Sequence, residues 1–264
     1  MSGPRWQTKF EVKPASWVYV PTPDMDFLGK QIHALVLKHW RIPNNYYHLQ
    51  PGGHLAALRH HFDDHYFAHL DIRNFFGSIS NSRITRSLKA FVGYERAREI
   101  AKISTVPVSN GQPHSHCLPY GFVQSPVLAS ICLQQSHLGT QIASISKSNT
   151  IKISLYMDDL LISGTDEDEV KAAFEMLKVA AEKSKFHLNI AKESAPATEI
   201  VCFNIALSHQ CMMITDERLH DFARDYLATD HPPIQQGIEG YIRTVNPEQL
   251  AAFRELLAVP EPQP

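Results

Sequence analysis

The sequence predicts an α+β fold, an antiparallel sheet carrying helices on one face, and three observations lead there. Two strand-like segments, 67–72 and the hairpin-like 153–163, are apolar and lie far apart in the chain. Segments of helical apolar period stand between and after them, at 125–145 and 166–184. Short strands at 186–190, 199–207 and 211–214 follow, and then helical residues. Such an order segregates helices from a sheet rather than alternating parallel βαβ units.

Each element has a local reason. Residues 1–24, with Pro4, Pro14, Pro21 and Pro23, read as an extended lead-in rather than a domain. A helix over 25–40 places Phe27, Ile32, Leu35 and Val36 at apolar positions. Residues 46–53 read as a loop and 55–67 as a helix before the first strand. Helices over 81–91, ended by Gly93, and 95–103 follow. Ser125 as N-cap with Pro126 at the first helical position opens a helix reaching about Ile145. Thr165 and Asp168 have capping-box spacing for the helix 166–184, whose Val170, Phe174 and Leu177 face inward.

The hairpin Ile153-Ser154-Leu155-Tyr156-Met157-Asp158-Asp159-Leu160-Leu161-Ile162-Ser163 sets two carboxylates between two apolar runs. Buried carboxylates are costly unless neutralised, and adjacent ones repel. Asp is also an ordinary turn residue, so the pair alone favours a polar turn. Asp71, closing the strand 67–72, changes the balance. Asp from two distant strands at one sheet end suits two divalent ions of the hard, oxygen-seeking kind, arranged for in-line phosphoryl transfer.

These segments resemble reverse transcriptases. Tyr156-Met157-Asp158-Asp159 is similar to their YxDD signature. Asp71-Ile72-Arg73-Asn74-Phe75-Phe76-Gly77-Ser78-Ile79 resembles the DIxxFFxSI motif of bacterial retron and group II intron enzymes. Between them, in the family's order, Leu118-Pro119-Tyr120-Gly121-Phe122-Val123-Gln124-Ser125-Pro126 resembles LPQGxxxSP. Lys192 stands at the place of the palm lysine, Cys202-Phe203-Asn204-Ile205 resembles the FLGI primer grip, and 238–247 resembles a retron-type thumb. The likeness spans about residues 40 to 257.

The resemblance implies a right-hand polymerase fold: an extended lead-in at 1–24, fingers and palm at 25–215, a reduced helical thumb at 216–258 and a tail at 259–264. It implies two Mg²⁺ ions, replaceable by Mn²⁺, on Asp71, Asp158, Asp159 and the carbonyl of Ile72, with Lys192 as proton donor. Phe76 would be the ribose gate and Phe75 a core residue. Arg73, Tyr120 and Gly121 would meet the nucleotide. Tyr156, Phe203, Gly240 and Tyr241 would meet primer or template. The implied partners are dNTPs, a DNA product, an RNA template (a dedicated non-coding RNA among the options), and a protein partner or second copy.

Departures shape the placement within the family. Tyr120 replaces an amide, Leu155 replaces the arginine of many bacterial relatives, and Asn204 interrupts the Phe-Leu-Gly grip. The retron Val-Thr-Gly element is missing, where Phe186-His187-Leu188-Asn189 stands. The expected placement is therefore near defence-associated or abortive-infection reverse transcriptases. Template-independent or repetitive synthesis, and a catalytically silent nucleic-acid-binding scaffold, stay open as alternatives.

Composition sets bounds. The chain has 264 residues with 44% hydrophobic content and no run of membrane-spanning length. Lys9, Glu11 and Lys13 interrupt any signal-like core, and four cysteines without a CxxC pair read as reduced, so a cytoplasmic location is expected. Net charge is −2, low for a nucleic-acid enzyme, yet residues 71–102 hold seven basic and three acidic side chains, enough for a backbone-binding groove or a solvated surface. His60, His61, Asp64 and His65, and likewise His114, His116 and Cys117, lack the two-pair spacing of structural zinc and read as solvated. His69 is a candidate nucleic-acid contact.

Overall fold

The computed structural model describes residues 3–13, 16–108 and 115–258; the expected tail at 259–264 and His114 lie outside them. The lead-in is a β-hairpin, β1 (Trp6–Lys13) with β2 (Ser16–Pro21). Thr22 then caps α1 (Pro23–His39), accepting from the Met25 N–H, with Pro23 in the first turn where a missing N–H costs nothing.

A 3₁₀ turn at Tyr47–Leu49 leads into α2 (Gly53–His60), which is shorter than the helix expected over 55–67. The chain leaves the helix at His61 because that ring turns inward. Its Nε2 meets Ser154 Oγ at 2.8 Å and its Nδ1 meets Ser163 Oγ, while Asp64 accepts from Ser163 and pairs with Lys152 at 3.1 Å. His61 is thus buried in a polar network rather than solvated, correcting the reading of that histidine cluster.

The central sheet has order β6-β7-β3-β8, with β3 (Tyr66–Asp71), β6 (Ile151–Tyr156), β7 (Asp159–Gly164) and β8 (Ser194–Ala197), and all its pairings are antiparallel. Between β3 and β6 come α3 (Asn81–Val92), α4 (Tyr94–Ser104), the short pair β4 (Val106–Pro107) and β5 (His116–Cys117), then α5 (Ser125–Gln134) and α6 (His137–Ile145). The long helix expected from Ser125 is therefore two. Ser136 caps the second by accepting from the Gly139 N–H at 3.2 Å, and a Cβ on Gly139 would lie 2.3 Å from the Leu133 and Gln134 carbonyls. The N-cap of α5 is Gln124, and Ser125 is its first helical residue. Asp166, not Thr165, caps α7 (Glu167–Lys183).

After α7 the expected strand at 186–190 reduces to one bridge, Leu188 with Ile72, followed by a 3₁₀ turn at Ile190–Lys192. The strand expected at 199–207 is two: β9 (Glu199–Cys202) and β10 (Ile205–Ser208), joined at Phe203 and Asn204, and extended by β11 (Cys211–Ile214). Among the described residues, three helices follow: α8 (Asp216–Leu227), α9 (Pro232–Val245) and α10 (Gln249–Ala258).

Two cores result. Ala68, Leu70, Leu160 and Ile162 pack with α5, α6 and α7 on one sheet face. Phe67 and Leu161, pointing the other way, join Leu58, the β9–β11 sheet and Leu219, Ile242 and Phe253. The second face is thus partly covered as well. Among the described residues no helix is long and apolar enough to cross a membrane.

Candidate active site

Three carboxylates converge at the end of the central sheet. Asp71 ends β3 directly opposite Asp159, which begins β7, so the two side chains share a face. Tyr156 pairs with Asp159, leaving Met157 and Asp158 as a two-residue turn. Met157 has φ 61, a region that side chains other than Gly, Asn and Asp seldom enter, and its strain is held by two anchors. The Met157 N–H donates to His48 Nδ1 at 3.0 Å, and the Asp158 carbonyl accepts from the Ile72 N–H at 2.8 Å. Asp159 therefore faces Asp71 across the ladder, while Asp158 stands on the turn.

The charges here are concentrated and only partly compensated. Lys192 Nζ donates to Asp71 Oδ2 at 2.8 Å, and His69 Nε2 meets Asp159 Oδ1 at 2.8 Å. Asp158 has neither partner: burial, then Asp159 and Asp71, push its carboxyl up to about 6. The bond to Asp71, then the charge of all three carboxylates, holds the Lys192 ammonium above its ordinary value. Cys202 Sγ lies within 4.8 Å of the His69 and Asp159 ligand atoms, but burial holds that thiol well above its ordinary value, so it is a neutral neighbour. Hard oxygen donors with one carboxylate lacking a counter-ion fit a divalent cation of the Mg²⁺ kind.

Around the carboxylates, Phe76 and Tyr120 place their ring centroids 4.9 Å apart, and both Phe75 and Phe76 are buried. Tyr120 is close enough to feel the charge of Asp158 and Asp71, although burial is the larger reason its hydroxyl is raised. Gly121, expected to meet the nucleotide, instead packs closely against the lead-in hairpin. Its φ is 98, and an added Cβ would meet the Tyr19 carbonyl at 2.2 Å, because β2 docks there through Tyr19 N–H to the Tyr120 carbonyl at 2.9 Å. Arg73 is exposed, with its backbone N–H on the His187 carbonyl.

Tyr156, Phe203 and Tyr241 gather around His54. The Tyr156 and Phe203 centroids are 5.3 Å apart, and His54 Nε2 meets the Tyr241 hydroxyl at 3.0 Å. Gly240 lies on α9 with nothing within 4 Å of where a Cβ would stand. His48 escaped the sequence reading altogether, since nothing around Tyr47 marks it. Burial lowers it to about 4, so the neutral ring accepts from Met157 and offers Nε2–H to Ser130 Oγ at 2.7 Å. His69, expected on nucleic acid, is instead turned onto Asp159 and the Lys192 carbonyl.

An antiparallel sheet presenting these carboxylates beside a YxDD turn defines a polymerase palm. Residues 20–202 match the reverse transcriptase (RNA-dependent DNA polymerase) family, to which the chain belongs. This family carries out RNA-directed DNA polymerisation and uses divalent metal ions. No curated protein matches the chain by sequence. Among solved structures, the foamy viral protease-reverse transcriptase dRH in complex with double-stranded DNA is similar at 17% identity and TM-score 0.50, over 99% of this chain and 47% of that one. Telomerase from Candida albicans with a fragment of telomeric RNA matches at 10% identity and TM-score 0.43, over 95% of this chain and 46% of that one. The chain thus spans about half the length of either structure.

Proposed function

We propose that this chain extends a nucleic-acid 3′ end with dNTPs on an RNA template, using Asp71, Asp158 and Asp159. The observation that carries the reading is the cross-strand placement of Asp71 against Asp159, with Asp158 half-buried beside them and in no ion pair among the described residues. Asp71, Asp158 and the Ile72 carbonyl would be the main ligands of two Mg²⁺ or Mn²⁺ ions, with Asp159 in support. Bound there, the ions supply charge stabilisation for the attacking and leaving oxygens. Lys192, held on Asp71, would hand a proton to the leaving pyrophosphate.

Phe76 and Tyr120 form the aromatic wall that excludes a ribose 2′-hydroxyl, and the exposed Arg73 takes the triphosphate side. The cluster of Tyr156, Phe203 and Tyr241, with Gly240 on the same helix as Tyr241, receives the primer end. In this reading residues 25–215 are fingers and palm and α8–α10 a reduced thumb. The motif forms Asp71–Ile79 and Leu118–Pro126, together with their departures, support a bacterial antiviral-defence enzyme served by a dedicated RNA and a protein partner in the cytoplasm.

The test is incorporation of labelled dNTPs by the full chain with Mg²⁺ on primed RNA, primed DNA and no template. Incorporation on RNA that disappears in Asp158→Asn is expected. Equal incorporation in that variant refutes the site, incorporation without template favours the untemplated reading, and none on any substrate favours the silent scaffold.

A further inference from the structure

Two clefts flank α3, and every side chain of full charge that lines them is basic. The first, about 590 Å³, lies between α3 and α4 and includes Arg86, Lys89, Arg98 and Lys102. The second, about 460 Å³, lies between α3 and the facing ends of α5, α6 and α7, and includes Arg83, Lys183 and Lys185. They share Ser82 and Arg86, so they form one tract. None of the carboxylate-site residues lines either cleft.

These cations are unspent. Among the described residues, the side chains of Arg86, Lys89, Arg98, Lys102, Lys183 and Lys185 make no ion pair or hydrogen bond, whereas Arg96, Lys178 and Lys192 each hold a carboxylate. Arg83 is anchored on one side only. Its Nη2 donates to the Ser184 carbonyl at 2.7 Å and its guanidinium lies 4.4 Å over the Phe186 ring, while its Nη1 is buried with no acceptor among the described residues. A buried guanidinium N–H without an acceptor is costly and marks a place for an anionic oxygen.

We propose that this tract binds the phosphodiester backbone of a nucleic-acid strand at a site separate from the carboxylate cluster. Its lining favours phosphate over an acidic protein: beside the Arg and Lys side chains stand Asn81, Thr85, Ser87 and Gln135, the hydrogen-bonding types that contact phosphate. A protein interface would present an apolar, aromatic centre, and the one tyrosine or tryptophan here is the exposed Tyr94. With a net charge of −2 the chain as a whole gives a polyanion little attraction, so the tract supplies it locally. The inference rests on the polymerase reading for the kind of polyanion, but its test reads binding alone.

The full chain and the variant R86Q/K89Q/R98Q/K102Q are titrated with labelled single-stranded RNA, duplex RNA and DNA across a salt series. A second variant, K30Q/K38Q/K147Q/K171Q, removes as much charge outside the tract. The expected result for the tract variant is a roughly 10- to 100-fold loss of affinity near ~0.1 M salt, with the slope of log K against log salt shallower by about 3. Melting and incorporation on a short primer–template should match wild type. Unchanged affinity and slope, or an equal loss in the second variant, overturns the proposal. So does displacement of RNA by poly-glutamate at equal charge. If wild type binds through the tract but incorporates nothing, the catalytic reading falls and the tract stands.

Discussion

Asp71 and Asp159 stand opposite each other across a ladder, where like charges normally destabilise. Lys192 and His69 each relieve one of them, which is why the pair survives without unravelling the sheet end. Because His69 orients a carboxylate rather than touching substrate, His69→Gln should keep the fold and lower Mg²⁺ affinity or incorporation about 10- to 100-fold, read from Mg²⁺ titrations. His48 has a second consequence. Its value of about 4 in the fold lies below the ordinary 6.5, so between those pH values the unfolded chain holds a proton that the native ring refuses. Stability should therefore fall on acidification from about pH 6.5 towards 4, by up to about 3 kcal/mol from this ring, and His61, lowered by burial, acts in the same direction. Asp158, raised to about 6, opposes them, since the native state takes up its proton first. Denaturant midpoints of Asp158→Asn across this window isolate the histidines, and a flat profile would refute the assignment.

The β9–β10 connection shows what a motif departure means. Phe203 and Asn204 both have positive φ, 57 and 60, as a tight two-residue hairpin demands. Asn204 stands where the family pattern has Gly, and Asn is the other residue that tolerates this region. Asn204→Gly should thus be neutral or stabilising, while Asn204→Val should cost about 1–2 kcal/mol, measured by chemical denaturation. Gly121→Ala should instead dislodge β2 from the Tyr120 carbonyl and lower the melting temperature. Legibility follows the same local physics. The hairpin 153–163 was readable because apolar runs flank the acids. The edge strand β8 was not, because Ser194-Ala195-Pro196-Ala197 has no apolar alternation and an edge tolerates proline. The break between α5 and α6 falls at the polar run Gln134-Gln135-Ser136-His137, a signal that the single helix expected from Ser125 passed over, and the docking of β1–β2 lay in long-range bonds that no local pattern records. At the site, the three carboxylates were legible from motif order, whereas His48 and the true partner of His69 depend on tertiary approach.

Across the molecule, the two larger cores meet at β3 and β7, whose alternate residues feed one or the other. Phe253 of α10 is fully buried in the second core with Phe67 and Leu161, so Phe253→Ala should destabilise the whole chain by about 3–5 kcal/mol in a single cooperative transition. A separate early transition confined to residues 216–258 would contradict this. The same shared core limits how the protein can be taken apart. Ending the chain at 215 would strip Leu219, Ile242 and Phe253 from the core that Leu58, Phe67 and Leu161 share with the β9–β11 sheet, exposing apolar surface around Met212 and Ile214 of β11 and inviting self-association. A longer or tighter-gripping C-terminal unit therefore cannot be exchanged as a cassette: the graft must bring apolar partners for the β11 face, or redesign both together.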